Sequence, residues 1–409
     1  MLIKKGRVFG KIFAPPSKSY THRALILAGL TKGESKIFNP LICDDTKATI
    51  SCLKKIGIKI KKEDNFLKIK GGNFSTPKTP LFCRESGTTF RFLSAICALI
   101  KGKCYLTGKE SLLKRPILPL LKALKNLGVK CQKKGKYVIL ENNFLGGKTK
   151  IRGNISSQFI SGLLLISPFC KKEVEIILTT PLESKPYLLM TIEMQKKFGV
   201  KVEYKKNLRW FRIKRQNYKA TDYFVEGDWS SVSPFLVAGA LTGKIKVKNL
   251  NFKSCQADRK IIEVLKKANV NFKIEKDFIL VEKSKIKSFK FNVKDCPDLF
   301  PIICVLGVGA SGKTEISGIE RLKYKESNRL REMEKNLKKM KIFVKRKKGK
   351  FLIEGGEPQG IEIDTKDHRI AMAFSILGLI SKGKTKIKNP NCVKKSYPEF
   401  FKILKNLIF

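Results

Sequence analysis

Ala24-Leu25-Ile26-Leu27-Ala28-Gly29-Leu30-Thr31-Lys32-Gly33-Glu34-Ser35-Lys36-Ile37-Phe38 runs from an apolar segment through a Lys-Gly turn into an extended stretch. The apolar part reads as a helix from Tyr20 to Leu30, the turn as its break at Gly33, and Ser35 to Phe38 as a strand. The same order returns at Gly102, Lys172, Gly243, Gly312 and Gly383, at intervals of 69, 70, 71, 69 and 71 residues. A second marker keeps step. Leu53-Lys54-Lys55-Ile56-Gly57, Leu124-Lys125-Asn126-Leu127-Gly128 and Gln195-Lys196-Lys197-Phe198-Gly199 recur, with weaker copies at 265–269 and 337–341 and a truncated one at 404–408. A fixed period is read before anything else, because it sets the architecture. Each unit is expected to run helix, turn, strand, second helix, then one or two strands. In the first, Thr46 to Ile56 is the second helix and Ile58 to Ile60 opens a strand. In the third, the elements are Phe159–Ile166, Val174–Leu178, Leu188–Phe198 and Val200–Tyr204.

A chain of 409 residues exceeds one ordinary core, so two or three domains are expected. Six units divide into two groups of three. The repeat places the first domain at 14–226 and the second at 227–409, with 1–13 pairing into that far half. The longest apolar runs, 299–310 and 370–380, are shorter than the roughly 18 residues of a membrane span. The N-terminus has no secretory h-region. Eleven cysteines without CxxC spacing and two histidines argue against a zinc site and for a reducing, cytoplasmic setting. The formal net charge of +52 raises a basic nucleic-acid-binding protein as an alternative. Its lysines, however, lie along the whole chain and no aromatic-interleaved basic motif occurs. Against that lysine background an Arg near a site is there for its planar fork.

The unusual polar residues cluster just before each apolar run, at a helix start. They are Ser17-Lys18-Ser19, Ser86-Gly87-Thr88, Ser156-Ser157-Gln158, Asp228 with Ser230-Ser231, Asp298, and Asp367-His368-Arg369. Helix N-termini favour anions, so six such starts point to one site for an anionic ligand. Ser17 reads as an N-cap, and Asp298 has the same simple reading. Lys18 opposes the helix dipole, which capping does not explain. In Lys325-Glu326-Ser327-Asn328-Arg329 two cations stand at i,i+4, unfavourable unless an anion lies between them. The competing reading there is a solvated helix start. Gly307 to Thr314 matches the GxxxxGK[ST] pattern, but an apolar helix precedes it and a strand follows, the reverse of a phosphate-binding loop.

At these residues the chain resembles the 5-enolpyruvylshikimate-3-phosphate synthase family of enolpyruvyl transferases. The matching stretches also include Arg91, Arg115-Pro116, Ser184-Lys185-Pro186-Tyr187, Glu226-Gly227-Asp228, Pro297-Asp298 and Tyr397-Pro398, in order over nearly the whole length. The resemblance implies an α/β fold of two domains, each of three βαβαββ repeats, the inside-out α/β barrel of this family, with the active site in the cleft between them. It implies transfer of the enolpyruvyl group of phosphoenolpyruvate to the 5-hydroxyl of shikimate 3-phosphate, with release of phosphate. No metal, organic cofactor, nucleic acid or membrane is implied, and a monomer is expected.

The resemblance further implies roles by position. Lys18, Gly87, Arg115, Gln158, Arg329, Arg369 and Lys395 would surround phosphoenolpyruvate. Lys18, Ser19, Arg23, Ser156, Ser157, Gln158, Ser184, Asp298, Arg321 and Lys325 would hold shikimate 3-phosphate. Lys18, Asp298 and Glu326 would be catalytic: Glu326 exchanges the C3 proton, and Asp298 with Lys18 handles the 5-hydroxyl proton. His368 would tune that network. Three positions depart from the family pattern: Pro16 before Ser-Lys-Ser, Glu85 where many members have Asn, and Arg321 where Asn often touches the substrate phosphate. The nearest rival is the sister transferase acting on UDP-N-acetylglucosamine, which opens on a Lys-Asn motif that this chain lacks.

Overall fold

Six small sheets account for every strand of the chain, one per repeat. The computed structural model describes residues 1–409. These form two compact units, Pro16–Val225 and Met1–Pro15 with Glu226–Phe409. Five of the sheets have four strands and one construction: a strand paired in parallel at one edge, then an antiparallel trio. In the second repeat, Leu81–Phe82 runs parallel to Lys103–Thr107, which pairs antiparallel with Tyr137–Glu141, and that with Lys130–Lys134. The parallel edge needs a crossover, and the apolar helix supplies it.

Within Pro16–Val225 the ring of repeats closes on itself. Tyr223–Phe224, at the end of the third repeat, is the parallel edge of the first repeat's Gly33–Phe38. In the other unit the N-terminal segment does two jobs. Phe9–Phe13 is the parallel edge for Lys244–Lys248. Leu2–Ile3 pairs antiparallel with Thr385–Ile387 of the sixth repeat. That sheet has three strands instead of four.

The two helices of a repeat differ as their sequences demand. Lys18–Leu30 is buried from Tyr20 to Leu30 on every side. Phe300–Val308 is buried throughout. A helix apolar all round belongs inside the core. Asp44–Lys55 buries one face, through Ala48, Thr49, Cys52 and Leu53, and ends in Lys54 and Lys55. The turn after each apolar helix is sharp: Gly102 and Gly312 have φ of 81° and 91°, a region open to Gly without a Cβ penalty.

Three local expectations are corrected. Val200–Tyr204 forms a ladder only at Glu203–Tyr204, and Val200 packs into the core ahead of it. Ser17 stands at the N-cap position, but its hydroxyl makes no cap bond; its carbonyl accepts from the Thr21 amide and hydroxyl at 2.9 and 2.8 Å. Asp298 is no cap either, since a 3-10 turn, Pro297–Leu299, precedes the helix that begins at Phe300. The Gly307–Thr314 pattern lies where helix Phe300–Val308 passes into strand Lys313–Ser317, the order opposite to a nucleotide loop.

Candidate active site

In the unit Pro16–Val225 the candidate residues stand at helix starts, and neutral groups hold most of their cations. Lys18 opens its helix and pairs with Asp45 at 2.9 Å. Asp45 lies in the first turn of Asp44–Lys55 and is buried. It is a partner that the sequence does not reveal, since 27 residues separate it from Lys18. Arg23 is almost fully buried yet faces no carboxylate: Nε donates to Thr191 Oγ1 at 2.9 Å, Nη1 to the Ser19 carbonyl at 3.0 Å and Nη2 to the Tyr187 carbonyl at 2.6 Å. Burial lowers its pKa to about 10, and the Phe92 ring lies 5.5 Å from the guanidinium carbon.

Gln158 is fixed at both ends. Its Oε1 accepts from Arg91 Nη1 at 2.7 Å and its amide donates to Thr88 Oγ1 at 2.9 Å. Arg91 also donates to the Pro116 carbonyl at 3.3 Å, which anchors the turn that carries Arg115. A Cβ built on Gly87 would lie 2.6 Å from Arg91 Nη1 and 2.9 Å from Arg115 Nη1, so Gly87 and Arg115 share one small space. Ser86 and Ser156 both cap, accepting from the Thr89 and Gln158 amides. Capping uses the acceptor lone pairs of Ser156 and leaves its O–H as a donor. Ser157 is buried beside it. Ser184 has φ 56° and ψ 45°, a left-handed conformation that costs a non-Gly residue energy and collects at ligand sites. Glu85 accepts from Ser111 at 3.1 Å.

In the other unit the cations meet acids. Arg329 is 1% exposed and touches three carboxylates: Asp367 from Nε at 2.8 Å, Asp298 from Nη1 at 2.7 Å and Glu326 from Nη2 at 2.8 Å. Lys325 reaches Asp298 at 2.9 Å. The i,i+4 cation pair is therefore resolved by the protein itself. Lys325 lies before the helix, which begins at Arg329, and the anion between the two is Asp298. A solvated helix start is ruled out by that burial. Asp367 in turn caps helix His368–Leu377 through the Arg369 amide, so one buried acid holds the Arg329 side chain and the start of the helix that carries Arg369.

Burial alone would raise the Asp298 pKa, but Lys325, Arg329 and Arg369 outweigh it and hold the carboxyl well below its usual range. Burial pushes Lys325 down, against the pull of Asp298. Asp298 is thus a charged carboxylate with 23% of its side chain exposed. Glu326 keeps 16% exposed. Arg369 is buried and donates to the Ser230 carbonyl at 2.8 Å. His368 is buried with Nδ1 3.8 Å from Asp367 Oδ1. Lys395 ends the 3-10 turn Pro390–Lys395 and is buried. Arg321 lies in the turn Glu320–Tyr324, near enough to depress Lys325 further. One unit thus gathers Lys18, Ser19, Arg23, Gly87, Arg115, Ser156, Ser157, Gln158 and Ser184. The other gathers Asp298, Arg321, Lys325, Glu326, Arg329, Arg369 and Lys395.

The chain matches the family model of EPSP synthase (3-phosphoshikimate 1-carboxyvinyltransferase) over residues 3–404. It is 41% identical over 420 residues to the 3-phosphoshikimate 1-carboxyvinyltransferase of Methanocaldococcus jannaschii, with 100% of this chain and 98% of that one covered. To the protein of the same name from Dehalococcoides mccartyi it is 40% identical over 402 residues, covering 97% and 96%. Among solved structures it is similar to an EPSP synthase from Acinetobacter baumannii, with a TM-score of 0.83, 26% identity, and 100% and 98% of the two chains covered.

Proposed function

The chain belongs to the EPSP synthase family, and from that membership we propose that it transfers the enolpyruvyl group of phosphoenolpyruvate to the 5-hydroxyl of shikimate 3-phosphate. The observation that carries the residue assignment is Asp298 ionised between Lys325 and Arg329, with Glu326 on the same guanidinium.

The reaction needs two anions held side by side, a base for the hydroxyl and an acid for carbon. Asp298 accepts the 5-hydroxyl proton as the oxygen bonds to C2 of phosphoenolpyruvate. Glu326 gives a proton to C3, leaving a tetrahedral adduct with a methyl group. Glu326 then takes a proton back from that methyl group, the double bond re-forms and phosphate leaves with the C–O electron pair. Lys18, Arg115, Arg329, Arg369 and Lys395 offset the charge of phosphoenolpyruvate, with Gly87 and Gln158 shaping its space. Ser19, Arg23, Ser156, Ser157, Ser184, Arg321 and Lys325 hold shikimate 3-phosphate. The rigid hold on Arg23 and Gln158 supports their roles, since groups fixed beforehand need no reorganisation in the transition state. His368 tunes the acid cluster through Asp367.

The test is phosphate release from phosphoenolpyruvate. It is expected only when shikimate 3-phosphate is also present. Turnover with UDP-N-acetylglucosamine in its place would contradict the reading.

A further inference from the structure

Asp258 stands outside every residue assigned above. It lies in the 3-10 turn Ala257–Lys260 and is 1% exposed. Its Oδ2 accepts a short hydrogen bond from the Ser230 hydroxyl. Its Oδ1 is buried with no hydrogen-bond partner. An unsatisfied buried acceptor is costly, more so when charged, and a fold that keeps one calls for a reason. Ser230 supplies it. This residue sits in the first turn of helix Trp229–Thr242, and its carbonyl accepts from Arg369 at 2.8 Å. Ser230 therefore holds Asp258 by its hydroxyl and Arg369 by its backbone.

The charges facing Asp258 come from several elements. Asp298 faces it from Pro297–Leu299, Asp228 from the cap of Trp229–Thr242, and Arg369 from His368–Leu377. The neighbouring Cys296 thiol is pushed up by burial and by Asp258, so it stays neutral. Two acids thus oppose ionisation of Asp258 and one arginine favours it.

We propose that Asp258 is a positioning residue for the enolpyruvyl-transfer site, acting through Ser230 to set the orientation and the effective charge of Arg369. The proposal rests on the functional reading above. With Asp258 neutral, the Arg369 charge is fully available to phosphoenolpyruvate. With Asp258 ionised, part of that charge is cancelled and the anion binds less well. Burial first, and Asp298 second, raise the carboxyl to about 7, so the change falls within the working range of pH.

The experiment measures KM for phosphoenolpyruvate from pH 5.5 to 9 in the wild type and in Asp258→Asn, which keeps the shape and stays neutral. The substrate's own ionisation is common to both, so the ratio of wild-type to variant KM isolates Asp258. The ratio should stay flat below about pH 6 and rise through 7 to roughly fivefold or more above 8. A ratio independent of pH overturns the proposal, because a purely structural role shifts KM equally at every pH. Ser230→Ala covers the case in which Asp258→Asn does not fold. It keeps the carbonyl that Arg369 uses but removes a hydrogen bond that stabilises ionised Asp258, so the KM limb should move to higher pH. An unmoved limb also overturns it. A wild type with no turnover on shikimate 3-phosphate and phosphoenolpyruvate would instead remove the functional reading, and the proposal with it.

Discussion

Arg23 and Arg329 are both buried arginines on helices, and they are held in opposite ways. Arg23 donates to a threonine hydroxyl and two backbone carbonyls. Arg329 is enclosed by Asp298, Glu326 and Asp367. A cation fixed by neutral acceptors keeps its charge for an incoming anion. A cation fixed by carboxylates instead holds those side chains in place, and at Asp298 it helps keep the group ionised. On the proposed reading, the difference suits the residues around Arg23 and Gln158 to holding an anion, and the carboxylates around Arg329 to moving protons beside the cations that hold one.

The largest expected effect lies in that cluster. Asp298→Asn and Glu326→Gln keep shape but remove the proton carrier. Each should lower turnover by roughly 10²–10⁴-fold, with shikimate 3-phosphate still binding, as steady-state rates and calorimetry would show. Near-normal rates would erase the contrast between the two regions.

Stability sharpens it next. Arg329→Leu strands buried Asp367, and removes a partner from the partly buried Asp298 and Glu326, so it should cost about 3–5 kcal/mol. Arg23→Leu leaves only neutral acceptors unpaired and should cost about 1–3 kcal/mol. Denaturant unfolding, followed as two transitions if the units separate, compares them. Equal losses would mean that the two arginines are held alike.

Gly87→Ala should act on binding alone. Arg91 is pinned by Gln158 and Pro116, so Arg115 must give way to the added methyl. KM for phosphoenolpyruvate should rise about tenfold or more, while shikimate 3-phosphate affinity stays near wild type. Loss of both affinities would show that the space is not specific.

At neutral pH the smallest effect is at His22, whose influence appears only on acidification. Buried His22 accepts or donates at Nδ1 with Thr49 at 2.8 Å, and burial lowers its pKa to about 3. The unfolded chain binds the proton first. Stability is therefore complete above about pH 6.5 and falls by at most about 1.4 kcal/mol per unit as pH drops toward 3. Asp298, also depressed, adds its loss only below about pH 4. His22→Asn should flatten the slope between pH 6 and 4.5, read from unfolding midpoints. An unchanged slope would place the acid sensitivity elsewhere.

Much of the fold was legible because it is local and periodic. The turn at Gly102 and the helices behind it follow from chain order and spacing. Helix ends shifted by one or two residues where polar site residues such as Lys18 and Ser157 belong to the first turn. What spacing does not carry is pairing across elements. Lys325 meets Asp298 across 27 residues, so the pattern showed two cations that needed an anion but not which one. Asp45 and Asp258 lie outside every motif that the sequence singles out. Their roles arise only when the fold brings Lys18 and Ser230 to them.

The central claim is that the acid cluster moves the protons. Its most direct test is turnover in heavy water with saturating substrates, followed by mass spectrometry of the C3 position. Wild-type product and recovered phosphoenolpyruvate should carry solvent deuterium, and Glu326→Gln should give neither deuterium nor phosphate while still binding shikimate 3-phosphate. Undiminished deuterium at C3 with Glu326→Gln would contradict the account.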